Sequence, residues 1–543
     1  MRKIADVAAD LGLTPDEYNV FGSWAAKLTP ASAFRQDPLP EASRLVLVSA
    51  INPTPAGEGK TTVTIGLTQA ARKLGIRAAA ALRQPSQGPV FGVKGGGTGG
   101  GQATLVPLER INLHFTGDIH AVTAAHNLLA ALADNDCYFG GGKLDPRQIT
   151  WRRSMDMNER FLRKIVIGLG GKSGGLPRET AFDITAASEV MAILCLSRDY
   201  ADLKRRLGEI IVGHGPGGVV RARDLRAEGS MAVLLRDALL PNIAQTIEGA
   251  PVFVHGGPFG NIAHGCNSIL ATKAALRHSD LVFTEGGFGF DLGAEKFLNI
   301  KCRAGGIWPN TVVLVATVRA LKMHGGASLA EMTDRNPAAL ERGMANLDKH
   351  IESVRAFGLE PTVALNIRHD DPSGEADRVV DMLKERGVDA GFADVYSNGG
   401  AGALELAEKV AHKARTLKPR PKFLYASSDA PEEKIEKVAR AVYGAKGVEF
   451  SPTAKSQLAK AVALGYGDFP VCMAKTHLSL SDDPKKICRP RDFTVNVREV
   501  RISAGAGFLV CLTGEIMTMP GLPKVPHSED IDLTADGEII GVK

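Results

Sequence analysis

Thr54, Pro55, Ala56, Gly57, Glu58, Gly59, Lys60, Thr61 and Thr62 have the residue types and spacing to cradle a triphosphate. They follow an apolar run from Leu45 to Ala50, so they read as a strand, a glycine-rich turn and the start of a helix. In that arrangement the amides of the turn and of the helix N-terminus face the anion. Lys60 adds a mobile positive charge, and the Thr61 hydroxyl reaches Mg2+. A strict P-loop has glycine six residues before the lysine, where this chain has Thr54; Gly57 is an extra glycine inside the loop. A plain glycine–proline turn with a solvated lysine is the bland alternative, and the flanking strand and helix speak against it. The expectation is binding of a nucleoside triphosphate through residues 54–62, with Lys60 on the phosphates and Mg2+ on Thr61.

A second anion-binding element follows. Arg83 ends the next strand beside the loop, and the stretch after it carries Gly88, Gly92, Lys94 and a glycine run at 95–97 and 99–101. A guanidinium can hold a planar acyl group or phosphate oxygens through two parallel hydrogen bonds, which lysine cannot. Glycines let backbone amides approach a ligand closely. Arg83 is therefore expected to bind an anionic or acyl substrate. Histidines cluster near glycine turns at 114–120 and 255–267 without the spacing of a zinc site, and His264 is the candidate for substrate contact. Cys266 and Cys302 have no base beside them and read as packing residues.

The elements that must position these groups are those of an α/β protein. After the loop, a helix is expected from Thr61 to Leu74, stopped by Gly75, and a strand from Arg77 to Leu82. Short apolar runs at 165–168, 251–254, 281–283 and 312–318 read as core strands of the same sheet. Residues 2–30 carry helical spacing, with Thr14 as N-cap and Pro15 at the first helical position. A second block repeats the strand–helix alternation over 362–417. The stiff stretch 418–422 follows it, and an alternating strand pair is expected over 493–502.

The 543 residues include 65 basic and 60 acidic side chains, a net charge of +5 too small to argue for nucleic acid. Hydrophobic content of 44% and charged content of 23% are those of an ordinary globular protein. Seven cysteines without a Cys-x-x-Cys pair suggest reduced thiols. No apolar run approaches membrane-spanning length and no signal-peptide core opens the chain, so no membrane partner and a cytoplasmic location are expected.

Eight stretches together resemble formate–tetrahydrofolate ligase: 53–62, 88–96, 112–122, 178–180, 255–268, 291–297, 470–475 and 517–524. The resemblance covers nearly the whole chain. It implies a P-loop NTPase-like large domain with a mainly parallel sheet at 1–340. A second α/β domain at 341–450 would contribute to the pterin pocket, and a C-terminal α/β domain would occupy 451–543. It further implies a homotetramer that joins formate to tetrahydrofolate with ATP and Mg2+ through formyl phosphate. Lys60 would neutralise the transferring phosphoryl group and Arg83 would hold the acyl phosphate. Arg368 and Tyr396 stand where relatives stack the pterin between Phe and Trp. Gln84 stands where relatives have a Glu associated with a monovalent cation (K+ or NH4+), so that cation loses a charged ligand here. Gln87, Phe290, Ser397, Asn398, His477 and Leu478 also depart from the family pattern. Two alternatives stay open at this point: an acyl-phosphate ligase with a different amine or modified pterin as acceptor, and a nucleotide-binding homologue without turnover.

Overall fold

Strands without a polar side need cover on both faces. In the computed structural model, which describes residues 1–92, 96–514 and 516–542 (for Lys172 the backbone alone), the apolar runs obtain it in one large sheet. Its main strands are β1 (Tyr18–Phe21), β2 (Ala25–Leu28), β3 (Arg44–Ala50), β4 (Ala78–Leu82), β5 (Asn242–Thr246), β6 (Pro251–Val254), β7 (Leu281–Glu285), β8 (Thr311–Ala316), β9 (Pro361–Asn366) and β10 (Ala390–Ala393). Their spatial order is β1-β2-β5-β6-β4-β7-β3-β8-β9-β10. From β6 to β10 every pairing is parallel.

Along β3, Leu45 and Leu47 enter one apolar cluster while Val46 and Val48 enter the other. Helices Lys60–Lys73 and Leu404–Thr416 cover the second face, and Ile269–His278 and Pro337–Ala356 cover the first. Each fully buried Val or Leu contributes about 1.5–3 kcal/mol, so this two-sided layer carries much of the stability. The chain thus forms the expected α/β fold with a mainly parallel sheet. Its consequence for function is geometric: the exits of seven parallel strands share one edge, where open α/β sheets bind ligands.

Several local expectations are corrected. The N-terminal helix ends at Asp10, and Gly12 is left-handed at φ 73°. Thr14 donates from its backbone and hydroxyl to Glu17 Oε2, but the turn so made leads into β1, because pairing with β2 suits the β-favouring residues 18–21. Ile165–Ile167 leaves the main sheet and forms a half-exposed hairpin with Arg178–Thr180. Residues 493–502 form two strands that do not pair with each other: β13 (Thr494–Val497) joins β11 (Gly447–Phe450), and β14 (Glu499–Ser503) joins β15 (Phe508–Leu512).

β15 also pairs with β12 (Val471–Ala474), and these two strands are buried on both faces, whereas β14 is half-buried. The division expected at 340 falls between β8 and β9, which are parallel neighbours. That at 450 falls between β11 and its partner β13. Val93, Lys94 and Gly95 of the glycine-rich stretch lie outside the described residues. Among the described residues, no helix is long and apolar enough to cross a membrane.

Candidate active site

The phosphate loop leaves β3 and returns as helix Lys60–Lys73. Two glycines permit the turn: Gly57 at φ 78° and Gly59, the helix N-cap, at φ 73°. A Cβ on Gly59 would lie 2.4 Å from Asn366 Nδ2, so the loop is closed to a larger residue there. Lys60 and Thr61 open the helix, where the first amides lack intrahelical acceptors and the dipole favours an anion. Glu58 turns inward instead of toward a ligand. Its Oε1 accepts the Thr54 amide at 2.7 Å and its Oε2 the Thr317 hydroxyl, while Asn366 Nδ2 donates to its carbonyl at 3.0 Å. That buried carboxylate replaces the missing glycine of a strict P-loop as the device that folds the loop.

Glu285, the last residue of β7, joins the two anion sites. Thr61 Oγ1 donates to its Oε2 at 2.7 Å, and Arg83 Nε lies 3.4 Å from its Oε1. Register explains the meeting: β7 lies between β3, which feeds the loop, and β4, which delivers Arg83. The guanidinium also packs on Gly287, where a Cβ would come within 2.9 Å of Nη1. Sequence reading missed Glu285. A strand-end acid after the apolar run from Leu281, immediately before the pair Gly286-Gly287, was the available signal. Among the described residues, no group of three His, Cys, Asp or Glu could hold a metal. Thr61 and Glu285 instead offer a hydroxyl and one carboxylate, a donor set that suits Mg2+ carried in with phosphates.

His264 is wholly buried, and neither ring nitrogen has a hydrogen-bond partner. Burial, reinforced by the positive charges of Lys301, Lys296 and Arg83, pushes its pKa down to about 3, so the ring is neutral. Lys301 donates to Asn267 Oδ1 and Thr272 Oγ1, and burial lowers its own pKa to about 8. Cys266 and Cys302 are buried and their pKa values are raised by burial, as inert packing thiols require. Gln84 is buried with Oε1 unpartnered, and its backbone is held by Gly256.

Residues Phe290–Ala294 and Phe297–Cys302 wind as π-helix, a form frequent at functional sites. Asp291 thereby faces Lys475 at 2.5 Å, both fully buried, and accepts from Asn52 Nδ2, which lies 3.2 Å from each carboxylate oxygen and also donates to the His477 carbonyl. Phe290 packs into the core against Phe357. Phe288 holds φ 59°, a conformation that costs on the order of 1–3 kcal/mol for a bulky residue, and stacks on His477 at 4.7 Å.

The two acceptor-side candidates leave neighbouring strands but differ in environment. Arg368, after β9, donates from Nη2 to the Gly57 carbonyl at 3.0 Å. Tyr396, after β10, is 59% exposed, with its ring edge over Gly100 and its carbonyl bound to the Gln102 amide. The structure therefore links Thr61, Arg83 and Glu285 directly, buries His264 within the electrostatic influence of Arg83, and places Arg368 on the loop. Tyr396 stands apart on an exposed wall.

The whole chain, residues 1–543, matches the family described as formate–tetrahydrofolate ligase. Two similar relatives carry that name, one from Myxococcus xanthus (strain DK1622) and one from Symbiobacterium thermophilum. Each is 54% identical across all of this chain, which covers 99% and 98% of their respective lengths.

Proposed function

The chain belongs to the formate–tetrahydrofolate ligase family, and from that premise we propose that it ligates formate to tetrahydrofolate through formyl phosphate. A formate oxygen attacks the γ-phosphorus of ATP and ADP leaves. The tetrahydrofolate amine then attacks the formyl carbon, losing its proton as phosphate departs, and 10-formyltetrahydrofolate results. The Thr61–Glu285–Arg83 arrangement carries this reading, because it sets a metal-reaching hydroxyl and an acyl-phosphate clamp on one carboxylate.

Lys60 and the loop amides meet the charge on the phosphoryl group in flight, which is where such donors are most effective. Thr61 and Glu285 would hold Mg2+, which neutralises phosphate charge when bound. Arg83 orients the mixed anhydride, and the buried His264 ring stays neutral and adds no charge. Withdrawal of water matters as well, since formyl phosphate hydrolyses when solvated. Arg368 and Tyr396 form the acceptor side. A homotetramer, a cytoplasmic location, and three units at 1–340, 341–450 and 451–543 belong to the same reading and rest on resemblance to the family. A monovalent cation would find at Gln84 an uncharged oxygen.

A second reading, with another amine or modified pterin as acceptor, is favoured by one observation. The Arg368 guanidinium is engaged on Gly57 and Tyr396 is exposed, so no two-ring sandwich is built. ADP release with formate, with and without tetrahydrofolate, separates the readings. Folate-dependent ADP and formylfolate support the first. Release drawn only by another amine supports the second, and none under any combination leaves a binding protein. Arg83→Lys should keep nucleotide affinity and lose most turnover; near-normal turnover would remove Arg83 from the mechanism.

A further inference from the structure

We infer that Arg368 is a positioning residue that couples the phosphate loop to the acceptor, so that each ligand tightens the binding of the other. The inference deepens the functional reading above, and its link to the acceptor rests on that reading.

The loop apex is poorly supported by its own packing. A Cβ on Gly57 would meet nothing within 4 Å, and the Gly57 amide is used inside the loop on the Thr54 carbonyl. Support comes from the exit of β9, more than 300 residues away in the chain. Asn366 Nδ2 donates to the Glu58 carbonyl at 3.0 Å, and Arg368 Nη2 donates to the Gly57 carbonyl at 3.0 Å. Neither clasp is a wandering surface contact. The Arg368 amide donates to Asp371 Oδ2 at 2.9 Å, the Asp371 amide returns to the Arg368 carbonyl at 3.0 Å, and Asp370 is ion-paired with Arg319. The guanidinium is thus projected from a braced turn onto the carbonyl that sets the apex conformation.

A guanidinium has five donors in a fixed fork, and this one has a donor in hand. Arg368 Nε is buried without a hydrogen-bond partner. A buried, unsatisfied charged donor is costly unless a ligand takes it up. An acceptor lying between Arg368 and Tyr396, whose strands β9 and β10 are parallel neighbours, reaches that group. It then orders the side chain that holds the loop. Reciprocity follows from linkage: whatever the acceptor contributes to nucleotide binding, nucleotide contributes to acceptor binding.

The test is calorimetric titration of ADP into the full-length protein, with and without tetrahydrofolate, for the unchanged chain, Arg368→Ala and Arg368→Lys. Thermal unfolding of each serves as a folding control. Without folate, Arg368→Ala should bind ADP about tenfold more weakly, the loss of one charge-assisted bond to a carbonyl. In the unchanged protein, folate should tighten ADP by at least about fivefold, and Arg368→Ala should cut that factor below about twofold. Arg368→Lys should recover part of the ADP affinity, through one ammonium donor, while leaving the coupling low. A merely structural role would lower stability without altering the coupling factor. Equal ADP affinity in Arg368→Ala, or a coupling factor that survives it, overturns the inference. Were folate not to bind at all, the folate reading falls. ADP affinity alone then decides: a tenfold loss upholds the clasp, and no loss ends it.

Discussion

The Thr61 hydroxyl donates to Glu285 at 2.7 Å, and the other oxygen of that carboxylate faces Arg83 at 3.4 Å. One acid thus touches both Thr61 and Arg83, the residues proposed to reach the metal and to clamp the acyl phosphate. Glu285→Gln keeps the shape and one acceptor oxygen but removes the charge that orients Arg83 and favours a divalent cation. The expected outcome is a fall in kcat of about 100-fold or more, the scale of losing one preorganised electrostatic group. Metal-free ADP affinity should stay unchanged, and Mn2+ bound with ADP, read by electron paramagnetic resonance, should weaken. A variant retaining both kcat and Mn2+ affinity would show that the carboxylate only braces the fold.

What could be read from the chain depended on distance along it. The strand, loop and helix over residues 45–73 were legible because Gly57, Gly59, Lys60 and Gly75 act on their immediate neighbours. Arg83 was legible because it ends the very next strand. Glu285 was not, since it meets Thr61 only through the parallel pairing of β7 with β3, 224 residues apart in the chain. The Arg368 contact with Gly57 was hidden for the same reason, across 311 residues. Errors arose where a local signal served another purpose. The Thr14–Glu17 hydrogen bonds of a helix start instead make a turn into β1. The apolar residues 165–167 pair instead with Arg178–Thr180 away from the main sheet, leaving Val166 exposed.

Gln84 offers a buried carbonyl oxygen with no partner, at the position that the family resemblance associates with a monovalent cation. Gln84→Glu would bury a charge that needs a counter-ion. The variant should unfold at lower temperature than the unchanged protein in tetramethylammonium chloride and recover in KCl, since a cation that binds only the folded state stabilises it. Its turnover should become severalfold dependent on K+. Identical melting in both salts would place the cation elsewhere.

Lys475 and Asp291 form a pair with no solvent access, 184 residues apart in the chain, with Asn52 closing the other side of the carboxylate. Asn52 immediately precedes Pro53 and the loop, and His324 and Asn346 hold it in turn. Lys475→Met strands the Asp291 charge and should cost about 3–5 kcal/mol by urea unfolding, the usual result of removing one partner from a buried pair. Asp291→Asn combined with Lys475→Met should be milder than the single lysine change. Equal losses in the single and double variants would mean that burial, not charge, is what Lys475 supplies.

Glu295 is fully buried; Asn299 donates to Oε1 at 2.6 Å, while Oε2 has no partner. Burial raises its pKa to about 7; Asn299 and Lys296 oppose that rise and Asp291 assists it. A carboxyl whose pKa is higher folded than unfolded holds its proton more tightly in the native state. Its contribution is therefore present at acid pH and is lost as pH climbs from about 4.5 to about 7. The unfolding free energy should fall across that window by on the order of 3 kcal/mol from this group, at 1.36 kcal/mol per pKa unit. Glu295→Gln carries no ionisable proton and should flatten the decline, matching the unchanged protein near pH 5 and exceeding it above pH 7. Chemical denaturation at several pH values measures both slopes. Parallel slopes would assign the pH dependence to other groups, because removing a titrating carboxyl must change the proton count of folding.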